Sequence, residues 1–456
     1  MAKGAPLRWA PLAVALALLA RTATAARLRS SNATLSTRRS LGYEVRLENY
    51  RNVQYSGEFL AGGQELPVIY DTGSFEVILL SKLCTQGCSS MLASYDETGS
   101  PSFSSSGVYG EHHFGSGSVY SKKGFETLSI GTQGSPLVAH HMQFWQVVRN
   151  RIAVWNDRAV FSGIVGLSHT DSIPEGYSVD GYSETLLHSM RVDRFSICLE
   201  RSGPSAPGWL SAGAGLDMLP SVFQTVPMVG KVHWAVRMTN VYADGSGAYS
   251  LCQDSCGAII DSGTSLIAAP SSAQPLIDKL QGMVRADCSN LSDLPVLRLS
   301  LGGVAVELPP KAYVMRVRKS SSWYGEPEME CRAAFMTINK HSELGPVWIL
   351  GMPFLRYYHT VFDRSGKQIH IAPSTPDCQA PGGQIFAASA GPGANGTVHL
   401  AVANSSGAAR LGSGMRTRAF APADYAPAKL DVPEFDVNAT RVPSWASGVA
   451  EELLHV

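Results

Sequence analysis

The sequence predicts an all-β protein built from two related halves, and three observations predict it. From residue 40 to residue 373 the chain runs as short apolar or alternating segments broken by Gly, Ser, Pro and Asp, with few long stretches of helical period. Within that region one pattern of strand, carboxylate and turn occurs twice. A Pro/Gly/Ser stretch at residues 202–208 interrupts the region near its middle and sets the expected lobe boundaries, 41–208 and 209–378.

The 456 residues suffice for two or three domains, and a hydrophobic share of 45% provides enough apolar surface for a sizeable core. Thirty-seven basic and 37 acidic residues cancel, and the charged share of 16% lies below the roughly 25% of average soluble proteins. This balance argues against a nucleic-acid binder or a polybasic membrane protein.

Both ends depart from the β pattern. Lys3 and Arg8 precede an apolar run over residues 9–20, and Ala23-Thr24-Ala25 follows, the order of a secretory signal over residues 1–25. The run is shorter than the roughly 20 residues needed to cross a bilayer. Residues 26–40 read as a short pro-segment or linker. After Cys378 the composition shifts to Ala, Gly, Ser and Pro, too poor in burial to offset ordering entropy, so 379–456 is expected to be disordered. The last residues form no lipid-anchor signal. The expectation is an exported monomer without a stable membrane anchor, in the secretory pathway and then the exterior or an acidic lysosome- or vacuole-like compartment.

Eight cysteines in an exported chain favour disulfides over metal. Cys84 with Cys88 and Cys252 with Cys256 are close pairs lacking the spacing or interleaved histidines of zinc sites. Cys288 and Cys331 are placed to close a long loop, which leaves Cys198 and Cys378; sequence alone leaves the connectivity open. Asn-x-Ser/Thr triplets at Asn32, Asn290, Asn395, Asn404 and Asn438 are candidate glycosylation sites and agree with export.

The repeat carries the chemistry. Val68-Ile69-Tyr70-Asp71-Thr72-Gly73-Ser74 is followed about ninety residues later by Gly163-Ile164-Val165-Gly166-Leu167. Ala258-Ile259-Ile260-Asp261-Ser262-Gly263-Thr264-Ser265 is followed at similar spacing by Trp348-Ile349-Leu350-Gly351. A lone Asp-Ser/Thr-Gly is an ordinary turn. Two of them, each behind an apolar strand and each with a matching downstream strand, imply a pseudo-twofold that brings two carboxylates face to face. Such a pair shares one proton. The ionised member takes a proton from a water while the protonated member donates to a substrate carbonyl, so amide hydrolysis needs no metal, cofactor or covalent intermediate. Thr72 and Ser262 can bond backbone across the interface, Ser74 and Thr264 can donate to the outer carboxylate oxygens, and Gly73 and Gly263 let backbone N–H groups approach.

On these motifs the chain resembles the pepsin-like aspartic proteases from Leu47-Glu48-Asn49-Tyr50 to Ile371-Ala372-Pro373. The resemblance implies a bilobal fold of two β-barrel-like lobes with a cleft between them, a β-hairpin flap closing over a polypeptide substrate, and Asp71 and Asp261 as the catalytic pair. Phe114-Gly115-Ser116-Gly117-Ser118 stands at the flap tip, where the family has Tyr-Gly-Thr-Gly-Ser. Thr360-Val361-Phe362-Asp363-Arg364 completes the second-lobe pattern. The resemblance also implies the disulfides Cys84–Cys88, Cys252–Cys256 and Cys288–Cys331, with a Cys198–Cys378 bridge as in some relatives. Arg27, Arg29, Arg38 and Arg39 suit either an inhibitory pro-segment or a basic linker.

Four departures stand out. Phe114 replaces the flap tyrosine and Ile78 replaces its tryptophan partner, so both ends of the family's flap hydrogen bond are missing and an apolar contact is expected instead. Phe75-Glu76 replaces Ser-Asn, and Met352 replaces an acidic residue. Other chemistries fit less well. Gly-x-Ser-x-Gly is not completed around Ser265. His112-His113 and His140-His141 point to opposite faces of a strand and are expected at the surface. The glycines at 115 and 117 lack the Lys and helix of a phosphate loop. The expected function is an acid endopeptidase preferring apolar or aromatic flanking residues; the alternative is a weak or inactive pepsin-like peptide binder.

Overall fold

Alternating sequence becomes alternating burial: in strand β1 (Tyr43–Tyr50), Val45 and Leu47 face the core while Arg46 and Glu48 face outward. The structure is a computed structural model describing residues 43–378 except 115–116, 132–136, 153–154, 156–158, 174–182, 204, 213–221, 245–249 and 319–328. The expected signal, pro-segment and tail, together with Gly115, Ser116, Asn32, Asn395, Asn404 and Asn438, lie outside the described residues.

The first half continues with β2 (Gln54–Ala61), β3 (Gln64–Asp71), β4 (Val77–Leu80), β5 (Ser104–Phe114), β6 (Gly117–Ile130), β7 (Leu137–Asn150), β8 (Gly163–Gly166), β9 (Arg194–Leu199) and β10 (Gly208–Ala212). The second half contains β11 (Gln224–Pro227), β12 (Ala235–Ala243), β13 (Cys256–Ile260), β14 (Ile267–Pro270), β15 (Leu297–Leu301), β16 (Val304–Leu308), β17 (Val314–Arg318) and β18 (Met329–Ala333). It ends with β19 (Phe335–Ile338), β20 (His341–Ser342), β21 (Gly345–Leu350), β22 (Tyr358–Asp363) and β23 (Gln368–Pro373). Helices are few; the longest described is Gln274–Met283, which buries Leu276, Ile277 and Leu280 on one side.

Strands order as β11-β23-β22-β9-β10-β1-β2-β3-β8-β4-β7-β6-β5 in one sheet and β16-β15-β12-β13-β21-β14-β19 in another. The halves repeat each other locally. Gly62-Gly63 turns β2 into β3, and Gly302-Gly303 turns β15 into β16; all four glycines have positive φ, which a two-residue hairpin demands. β3 runs parallel to β8, and β13 runs parallel to β21. The downstream apolar repeat seen in the sequence is therefore the parallel partner of each Asp-bearing strand.

The first sheet belongs to both halves, because β22 from the second pairs with β9 from the first. Phe195 of β9 stacks on Phe362 of β22 at 4.7 Å, and Trp234 meets both edge-on, so one apolar core runs through the two lobes. Residues 202–208, expected to separate the lobes, lie in and next to the connection between β9 and β10, which pair as a hairpin within this shared sheet. Arg364 from the second half donates to the Val192 carbonyl at 2.8 Å and to Asp171 at 2.9 Å, a physical role for the Asp363-Arg364 motif.

Candidate active site

Each aspartate ends a strand that its own half holds in place. Asp71 closes β3 in register with Gly166, and its carbonyl accepts the Leu167 N–H at 2.7 Å. Asp261 follows β13 directly and donates its N–H to the Leu350 carbonyl at 3.1 Å. Trp234 couples the two supports: its indole N–H donates to the Leu167 carbonyl at 2.7 Å, and its own carbonyl accepts the Ile260 N–H at 2.9 Å.

The hydroxyl residues between Asp and Gly bond across the halves in a reciprocal pattern. Thr72 Oγ1 donates to the Ile260 carbonyl at 2.9 Å and accepts the Ser262 N–H at 2.9 Å. Ser262 Oγ donates to the Tyr70 carbonyl at 2.6 Å and accepts the Thr72 N–H at 3.0 Å. Four buried backbone groups are satisfied by two side chains, so neither loop shifts without stranding polar atoms of the other.

This floor brings the carboxylates together. Gly73 N–H donates to Asp71 Oδ1 at 2.8 Å, and Gly263 N–H donates to Asp261 Oδ1 at 2.7 Å. A methyl group on Gly73 would stand 2.7 Å from the Asp261 carboxyl carbon, and one on Gly263 would stand 2.4 Å from Asp71 Oδ1. Only glycine permits that approach, from either side. Asp71 is 9% exposed and Asp261 7%. Burial, then the charge of Asp261 beside it, raises the Asp71 pKa above the ordinary carboxylate range, against the pull of nearby donors.

The outer oxygens are treated unequally. Thr264 Oγ1 donates to Asp261 Oδ2 at 2.6 Å. Ser74 lies close enough to Asp71 to favour its anion, but its hydroxyl stays outside hydrogen-bond geometry and the expected donation is incomplete.

Flap strands β5 and β6 form an antiparallel hairpin whose last pair is Phe114 with Gly117. Phe114 packs against the apolar cluster that contains Ile78, Trp145 and Trp155. His113, His140 and His141 are exposed, whereas His112 departs from the surface position expected for it. It is buried because Glu76 takes it up: His112 Nδ1 lies 2.7 Å from Glu76 Oε2, and Trp145 Nε1 donates to Glu76 Oε1 at 2.9 Å. Sequence reasoning missed Trp145, Trp234 and the adjoining buried His233, whose ring lies 5.2 Å from that of Phe75 after the first motif. The one signal for the Glu76 cluster was a carboxylate in an otherwise apolar segment following the first motif.

All eight cysteines pair, as Cys84–Cys88, Cys252–Cys256, Cys288–Cys331 and Cys198–Cys378. Asn290 is 9% exposed, with its Nδ2 donating to the Met283 carbonyl at 2.8 Å and its Oδ1 accepting the Arg285 N–H at 3.0 Å. No described helix is long and apolar enough to cross a membrane.

A shared β core with one aspartate from each half over a reciprocal hydrogen-bonded floor defines the architecture of a two-lobed aspartic peptidase. The chain belongs to the eukaryotic aspartyl protease family, whose model matches residues 54–374. It is similar to cathepsin E-A of Xenopus laevis, 27% identical over 341 residues that cover 72% of this chain and 82% of that one. Pepsin II-1 of Oryctolagus cuniculus is 27% identical over 343 residues, 72% and 82% of the two chains. Pepsin A of Canis lupus familiaris is 27% identical over 339 residues, 72% and 83%.

Proposed function

We propose that this chain is an active aspartic endopeptidase that hydrolyses peptide bonds in extended polypeptides under mildly to strongly acid conditions. The observation that carries the proposal is the mutual approach of Asp71 and Asp261, each bonded by its own glycine N–H and facing the glycine of the other. A pair holding one proton is both base and acid. The ionised carboxylate takes a proton from water as the water oxygen bonds to the scissile carbonyl carbon, and the protonated carboxyl donates to the carbonyl oxygen. Collapse of the resulting gem-diol breaks the C–N bond, a proton passes to the leaving nitrogen, and the pair is left with one proton again. Buried walls and fixed donors keep the pair organised before substrate arrives.

Maturation in the secretory pathway fits four disulfides, which need an oxidising compartment. The same reading takes residues 1–25 as the signal and an acidic or extracellular compartment as the place of work. Phe114 and the Ile78 cluster favour apolar or aromatic residues beside the scissile bond.

The test is cleavage of denatured haemoglobin by the purified, processed chain between pH 3 and 7, with and without pepstatin. Pepstatin-sensitive cleavage that falls by about 10⁴-fold or more in Asp71→Asn and in Asp261→Asn supports the proposal. Pepstatin binding without cleavage at any pH overturns it in favour of a peptide binder.

A further inference from the structure

Both ends of the family's flap hydrogen bond are replaced here by apolar side chains, yet a polar contact joins the flap to the catalytic loop two residues further down the hairpin. Glu76 lies five residues after Asp71, and its carbonyl accepts the N–H of Gly166, the register partner of Asp71, at 2.9 Å. The Glu76 backbone is thereby tied to the strands that carry the aspartate. Its carboxylate reaches the other way. One oxygen takes the Trp145 indole N–H at 2.9 Å, and the other stands 2.7 Å from His112 Nδ1 on the flap strand β5.

His112 and Phe114 are two residues apart on β5 and so project to the same face. His112 packs edge-on against Trp145 at 4.6 Å, and Phe114 packs on the cluster that includes Trp145 and Ile78. The side chains of His112 and Glu76 are only 6% and 9% exposed, so water competes little for their contact. A hydrogen bond shielded from water in this way is stronger than one at the surface.

We propose that Glu76 and His112 are positioning residues that latch the flap hairpin to the Asp71 loop and fix where Phe114 sits on the Ile78–Trp145 cluster. The inference rests on the endopeptidase reading for its kinetic consequence, while the latch itself is a property of the fold. Trp145 holds the second oxygen of Glu76 and thereby fixes the direction in which the carboxylate faces the flap.

Steady-state kinetics on a peptide substrate, set beside hydrogen exchange of the peptide spanning residues 117–130 in the intact processed protein, test the latch. His112→Phe keeps a ring in the cluster and removes the donor; His112→Asn keeps a nitrogen donor near the Nδ1 position. His112→Phe is expected to lower kcat/KM by about ten- to a hundredfold, with KM rising, and to speed flap exchange at least tenfold, while exchange in β13 is unchanged. His112→Asn is expected to recover kcat/KM to within about threefold of the native protein. Adding Glu76→Gln to His112→Phe costs little more, because the bond is already gone. Equal losses in the Phe and Asn variants, or flap exchange unaltered in His112→Phe, overturn the latch. If the native protein cleaves nothing, the endopeptidase reading fails, and the exchange measurement still decides the latch.

Discussion

At the scale of single residues, the hydroxyls that follow the glycines of the two Asp-bearing loops are chemically alike and structurally different. Thr264 donates to Asp261 at 2.6 Å, whereas the Ser74 hydroxyl has no partner in hydrogen-bond geometry among the described residues. Replacing Thr264 by Val removes a donor to a carboxylate, an interaction worth about 1.5–3 kcal/mol. Thr264→Val is therefore expected to lower kcat by about ten- to a hundredfold, and Ser74→Ala by less than about threefold, in the same pepstatin-calibrated assay. Equal losses would contradict the asymmetry. Thr72 carries a different load, since its hydroxyl satisfies the Ile260 carbonyl and the Ser262 N–H together. Thr72→Val strands both inside the interface and is expected to cost about 2–5 kcal/mol of stability, read from urea unfolding.

At the scale of elements, the pieces that carry the aspartates were legible because both strands are short apolar runs ending in the same turn chemistry. Their parallel partners were legible for the same reason, as glycine-terminated apolar runs. What stayed hidden was the pairing of distant elements. His112 read as half of a surface pair because strand alternation says only that one member faces inward, not what it finds there. The answer is Glu76, 36 positions earlier on another element, and Trp145 on a third. The break at residues 202–208, expected as a lobe boundary, sits by the turn between β9 and β10, and a Pro/Gly/Ser run marks a turn inside a sheet as well as between lobes. Beside that turn, Cys198 of β9 bonds Cys378 beyond β23 across a separation of 180 residues. Loop-closure entropy predicts that Cys198→Ser with Cys378→Ser costs about 2–5 kcal/mol. The same change at Cys84 and Cys88, with a separation of 4, closes a far smaller loop and is expected to lower the melting temperature less.

At the scale of the whole molecule, ionisable groups buried around the site oppose one another. Burial pushes His233 and His169 down to about 4, with His169 lowered further by His233, Arg364 and Lys367. An unfolded histidine titrates near 6.5, so the unfolded chain binds more protons between these values. Stability is accordingly lost as pH falls from about 6.5 to about 4, by on the order of 3 kcal/mol per histidine. Asp71 has the opposite sign. Its folded pKa is raised, so its contribution is full below about 3.9 and is lost as pH rises through the folded value. The sum is a stability maximum in the mildly acid range. Urea midpoints between pH 3 and 8 are expected to trace that dome, and His233→Phe is expected to flatten its acid side. A midpoint that rises steadily down to pH 3 would contradict the assignment.

The amino-acid sequence alone determined the two Asp-bearing loops, the strands behind them and the family, because local apolar runs and turn residues are written in neighbouring positions. Tertiary structure decided which side chains complete the site. The crossed hydroxyl bonds, the Trp234 link and the contact of Glu76 with His112 depend on atoms brought within about 3 Å from distant stretches of chain. Distances of that kind follow from how the sheets stack, and no local pattern encodes them.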